Sequence, residues 1–148
     1  MNRVAANTMV PGRAAEAEEL WYDRHRWPAW IDGFGHVVEL EGDWPQVDAR
    51  LVWVSPPSGR GRVQERVTAY EPRSGQTVEV EDKRLRGTQT VTFEPAGDEV
   101  RVTLTLDYEL KERTFLTPLV DLLYIRRGLG DSLRRTLTRF GHERRAEL

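Results

Sequence analysis

The sequence predicts an α+β fold: a strongly curved antiparallel sheet of about seven strands, two short helices, and a long C-terminal helix that closes over the sheet. Three observations carry this. Between Gly35 and Glu112 apolar residues recur with period two, and turn residues interrupt them at regular intervals. Beyond Arg113 the period changes to that of a helix. Ahead of the sheet stand a short strand and a tryptophan-rich helical stretch broken by a proline. The 148 residues, 39% hydrophobic and 31% charged, suit a single domain over residues 1–148 with one core.

The first strand is "NRVAANTMV", which alternates weakly and stops at the turn signal Pro11-Gly12. "RAAEAEELWYDRHRWPAWIDGFG" follows. It opens with good helix formers, carries its acidic residues early where the helix dipole favours them, and ends at Gly33. Pro28 divides it into two short helices near Trp27-Pro28. The meander is punctuated by "EGDWPQ", "SPPSGRG", "EPRSGQ", "RLRG" and "EPAGDE". In its clearest strand Val100, Val102, Leu104, Leu106, Tyr108 and Leu110 share one face, while Arg101, Thr103, Thr105, Asp107 and Glu109 take the other. The same alternation puts Val47, Ala49, Leu51 and Trp53 together in one strand. In the next it sets Val63, Glu65, Val67 and Ala69 against Gln64, Arg66, Thr68 and Tyr70. The last helix is expected to run from after Arg113 to about Glu143. At about 100° per residue its apolar stripe is Phe115, Leu119, Leu122, Leu129, Leu133, Leu137 and Phe140. A twisted sheet wrapped around one helix stays open at its far end unless side chains fill it, so a cavity is expected there.

Composition narrows the function. A net charge of -2 and a pI near 6.0 provide no general basic field, so nucleic acid is not an expected partner. The apolar runs are far shorter than the roughly 20 residues of a membrane span, which excludes stable membrane insertion by a helix. The N-terminus lacks the layout of a signal peptide, and a cytoplasmic location is expected. Without cysteine there is neither a disulfide nor a thiolate nucleophile. His25, His36 and His142 fall in no spacing that would place two rings on one metal, so no metal and no cofactor is expected.

The order strand, two short helices, six strands and one long helix, together with "WYDRHRWPAWIDGFGHVVELEG" and the strand ending "RVTAYEP", resembles the START-like (SRPBCC) superfamily, and within it the polyketide cyclase/dehydrase and lipid-transport group. The resemblance covers essentially the whole chain. It implies one START-like domain of helix-grip fold, with a hydrophobic pocket between the sheet and the last helix.

Near the C-terminus Gly130-Asp131-Ser132-Leu133 spells an esterase signature. Such a serine needs a base within reach, and position 139, where the activating Asp-x-x-His pair of His142 would place its aspartate, holds arginine. Ser132 also falls about 100° off the apolar stripe, on the helix flank or towards solvent. Arg126 is the more telling residue, since it projects roughly 20° from the stripe centre and would need a partner if buried. Glu65 is the candidate partner, the pair orienting a ligand's oxygen. Gly128 and Gly130 would allow the helix to bend above the pocket. The ligand-binding candidates are Trp30, Trp53, Glu65, Val67, Leu106, Tyr108, Leu122, Arg126 and Gly130, and no catalytic residue is assigned.

The expected function is binding or transport of a hydrophobic small molecule such as a lipid, isoprenoid or polyketide. Two alternatives stand beside it: a polyketide cyclase, aromatase or dehydratase using the same pocket, and a protein-interaction module. Polar side chains converging in the cavity would favour the enzyme, whereas a filled cavity with an exposed apolar patch would favour the module. A homodimer is as open as a monomer.

Overall fold

The computed structural model describes residues 2–57, 59–114 and 116–148. Strand β1 (Asn2–Pro11) leads through a turn at Gly12 into α1 (Ala14–Tyr22), a single 3-10 turn (Arg24–Arg26) and α2 (Trp27–Trp30). Gly12 has φ +102, and a side chain there would meet the Arg144 guanidinium at 2.7 Å, so glycine is required on both counts. The Asp23 carboxylate ends α1 and caps the next turn by accepting the His25 N–H. Pro28 sits in the first turn of α2, where its missing N–H costs nothing. The break foreseen at Trp27-Pro28 is therefore a restart of the helix.

Six strands follow: β2 (His36–Glu41), β3 (Arg50–Val54), β4 (Arg62–Glu71), β5 (Gly75–Glu81), β6 (Leu85–Ala96) and β7 (Glu99–Leu110). Together with β1 they form one antiparallel seven-stranded sheet in the order β1-β7-β6-β5-β4-β3-β2. The meander is sequential, and β1 returns to pair with β7. Helix α3 (Leu119–Ala146) crosses the inner face without interruption through Gly128 and Gly130.

Two details depart from the alternation predicted for β3 and β4. The pairing of β4 with β5 shifts between Val67 and Ala69, leaving Thr68 as an extra residue. The bulge reverses the phase of the strand, so Tyr70 turns inward against Val67 and its neighbours while Ala69 is exposed. Val47 precedes β3 and is exposed, so that face starts at Ala49. In the C-terminal helix the predicted stripe holds only in part. Leu133, Leu137 and Phe140 are buried, Leu129 and Leu122 half-buried, and Leu119 exposed. Phe115 lies outside the described residues.

The core joins α3 to the short helices. Phe140 stands 5.1 Å from both Trp21 and Trp30, whose own rings pack 4.5 Å apart. Arg144, buried at the end of α3, donates to Glu16 at 3.0 Å and to Glu147 at 3.3 Å, tying the helix to α1. Asp32, just after α2, makes the second tie. Its N–H donates to Thr136 Oγ1 at 3.0 Å, and its carboxylate receives Ser132, Arg135 and Arg139. Between these two ties the helix is held firmly over the sheet, and every buried residue of α3 lies at or after Gly130.

Candidate functional site

Between the sheet and the roof formed by α2 and α3 lies a cavity of about 80 Å³. Its floor follows from strand alternation. Trp53 of β3, Glu65 of β4, Val78 and Val80 of β5, Gln89 and Val91 of β6 and Leu104 of β7 all point inward. Its roof is Trp27, Trp30 and Ile31 on one side and Ser132, Leu133 and Thr136 on the other. All 5 tryptophans of the chain line it.

Several polar groups converge on this cavity. The Trp53 indole N–H donates to Glu65 Oε2 at 2.7 Å. Glu65 is surrounded by protein, and the surface it keeps belongs to the cavity wall. Burial raises its pKa above the usual glutamate range, because desolvation outweighs the Trp53 hydrogen bond and the nearby charge of Arg60. Arg60 lies over the Trp53 ring, 5.6 Å from its centroid, and donates to Asp82 at 2.8 Å. Against the burial that would raise it, the Asp82 carboxyl is held low by the N–H groups of Arg84 and Leu85 together with Arg60. Across the cavity Trp30, 1% exposed, has an indole N–H without a partner among the described residues.

Ser132 forms part of the wall and donates to Asp32 Oδ2 at 2.7 Å. Its flank position therefore faces the cavity, a placement the sequence did not suggest. Although burial pushes the Asp32 carboxyl up, the hydrogen bonds from Arg135 and Ser132 prevail and hold it below the ordinary aspartate range. It is thus a poor base for the serine, and no described hydrogen bond brings a histidine to it. The arrangement is a structural tie, with no nucleophile-base pair among the described residues.

Of the nine candidates read from the sequence, Trp30, Trp53 and Glu65 come together at this cavity. The other six lie elsewhere. Val67 packs in a separate small cluster with Ala49 and Val78, one step further along β4. Leu106 and Tyr108 are fully packed core residues on β7. Glu65 and Tyr108 share one cross-strand row, but Val80 and Gly87 stand between them, a separation of about 14 Å at the usual strand spacing. Leu122 is half-buried on α3, and Gly130 lies on a different flank of the helix from the cavity wall.

The pairing of Arg126 with Glu65 is not formed. Arg126 is exposed, on the part of α3 that precedes the buried segment, and the Trp53 indole donates to Glu65 from the adjacent strand in its place. The charge of Arg126 reaches Tyr108, whose pKa burial raises. Gln76 and Gln89 were missed, yet they left a signal. Each stands in the apolar phase of its strand, Gln76 with Val78 and Val80, and Gln89 with Val91 and Phe93. Arg60 and Asp32 left none, since one lies in a loop and the other is defined by contacts a hundred residues away.

A family model described as polyketide cyclase / dehydrase and lipid transport matches residues 1–143. No curated protein matches the chain. Among solved structures, the di-domain ARO/CYC StfQ from the steffimycin biosynthetic pathway is 18% identical with a TM-score of 0.77, covering 99% of this chain and 52% of that one. A START superfamily protein from Mycobacterium smegmatis is 14% identical with a TM-score of 0.75, covering 99% of both chains. TTHA0849 from Thermus thermophilus is 21% identical with a TM-score of 0.71, again covering 99% of both. The architecture is the helix-grip fold of START-like proteins.

Proposed function

Since the chain belongs to the polyketide cyclase/dehydrase and lipid transport family, we propose that its cavity receives the oxygen-bearing end of a hydrophobic small molecule, with Glu65 meeting the oxygen and the tryptophans enclosing the carbon skeleton. The observation that carries this reading is a carboxyl buried at the cavity wall with Trp53 as its one hydrogen-bonded partner among the described residues. Burying such a group is costly unless something repays it, and a ligand hydroxyl or carbonyl is a suitable partner.

At about 80 Å³ the cavity is smaller than the roughly 300 Å³ at which ligand pockets begin. It fits one ring, or the end of a longer chain, before its walls must move. A titration followed by tryptophan emission tests this, using phenol, benzene and 2-naphthol as probes. Phenol should produce a saturable change at lower concentration than benzene, because only phenol engages Glu65. Equal responses to the two would remove the polar part of the proposal, and no saturable response to any of the three would remove the whole.

The raised pKa of Glu65 favours a second reading, in which this carboxyl transfers a proton during dehydration or ring closure of a carbonyl-bearing chain. The probe is 4-hydroxypentan-2-one, which loses water to give the conjugated enone. Absorbance growth that exceeds buffer and disappears in Glu65→Gln would support this reading, and growth equal to buffer would count against it.

A further inference from the structure

The side of α3 turned away from the cavity carries a second, larger concavity of about 660 Å³, which lies between the first half of the helix and Arg3, Val4 and Ala5 of β1. Its helical wall follows from spacing. Val120, Leu123, Tyr124, Arg127 and Arg134 recur at intervals of three, four and seven residues and so form one stripe, roughly half a turn from Ser132, Leu133 and Thr136. The stripe begins apolar and exposed, Val120 at 70% and Tyr124 at 80%, and then becomes basic. Midway, buried Gly130 presents no side chain and leaves the groove open, since a Cβ built there would meet only the Arg134 guanidinium nitrogens, at 3.7 Å.

Charge in this groove has one sign. Arg3, Arg126, Arg127 and Arg134 line it, and no carboxylate among the described residues does. Arg3 is engaged by Asp107 and Arg134 by Asp131, whereas Arg126 and Arg127 form no ion pair among the described residues. A two-fold dimer through this patch would set arginines against arginines, so a second copy of the chain is a poor occupant. A bilayer would lie against the exposed helix and leave the β1 wall of the concavity unused. A volume within the roughly 300–1,000 Å³ of small-molecule sites, apolar at one end and cationic at the other, matches a single amphipathic anion.

We propose that the groove between β1 and the first half of α3 binds a long-chain carboxylate, its alkyl tail on Val120, Leu123 and Tyr124 and its head on Arg126 and Arg127. The site is separate from the inner cavity and does not depend on its function.

The test is isothermal titration calorimetry with dodecanoate below its micelle concentration, with tryptophan emission followed in parallel. One molecule should bind per chain while the emission stays flat, because all 5 tryptophans surround the inner cavity, where the Glu65 carboxyl accepts a hydroxyl or carbonyl but disfavours a second carboxylate beside it. Leu123→Asp and Arg127→Glu, both at exposed positions that leave the core intact, should each weaken binding about tenfold. Dodecyltrimethylammonium should not bind. The proposal is overturned by any of four results: no saturable heat, a tryptophan change that tracks the heat, equal binding of the cationic analogue, or binding to anionic vesicles without binding of the monomer.

Discussion

Filling the inner cavity separates its contribution to stability from its contribution to binding. Val91 lies on its floor, in the cross-strand row of Gln76 and Leu104, and Val91→Phe directs a ring into the void. At about 24 cal/mol per Å³, a void of about 80 Å³ represents about 2 kcal/mol of lost packing. Polar walls and imperfect fit reduce the recoverable part, so a gain between about 0.5 and 2 kcal/mol is expected, less where the ring crowds Trp21. For a chain of this length each kcal/mol moves Tm by about 2–4 °C. Urea unfolding gives the free energy, and the same protein titrated with phenol gives the affinity. The expected result is higher stability together with loss of the phenol response. A variant that unfolds earlier than the parent and still binds phenol with unchanged affinity would refute the reasoning, because the ring would then have met packed atoms and the ligand would sit elsewhere.

Three further outcomes follow from individual groups. Burial holds the Glu65 carboxyl above its unfolded pKa, so stability is withdrawn as pH rises from the unfolded value through the folded one, by about 1.4 kcal/mol for each pH unit between them; Glu65→Gln should flatten that fall in a series of thermal melts, and an unchanged slope would contradict it. Asp82 behaves in the opposite sense, since its carboxyl lies below the unfolded value and its stabilisation is lost as pH falls through the folded one. Asp82→Ala, which orphans the N–H groups of Arg84 and Leu85, should cost about 2–4 kcal/mol near pH 7 and less in acid, a result that urea denaturation at the two pH values would check; a cost below about 0.5 kcal/mol would not fit. Ser132→Ala should lose about 1 kcal/mol of stability with its hydrogen bond to Asp32, and leave hydrolysis of p-nitrophenyl acetate at the parent's rate. A fall in that rate would restore the serine as a nucleophile.

The fold was largely legible because it rests on periodicity. Six strands between His36 and Leu110 answer to the alternation and its turn residues, and the proline at position 28 marked the restart of the helix. Alternation failed where an inserted residue changed its phase, as Thr68 does in β4, because pattern alone does not reveal a bulge. The site was legible only where one strand determines direction. Glu65 among Val63 and Val67, and Trp53 beside Leu51, could be placed inward without knowing the rest. Arg126 could not be placed, because the helical wheel gives a direction but not the point along α3 at which the helix begins to cover the sheet. Asp32 and Ser132 meet across a hundred residues, and no local pattern encodes that contact.

The central claim is that Glu65 is a buried carboxyl waiting for a ligand oxygen. The most direct measurement is a carbon-13 NMR titration of the Glu65 side-chain carboxyl, in the free protein and with phenol bound. The free carboxyl should titrate above the ordinary glutamate range, and phenol should move both its chemical shift and its midpoint. An ordinary midpoint, or a carboxyl signal indifferent to a ligand that saturates the tryptophan response, would contradict the account.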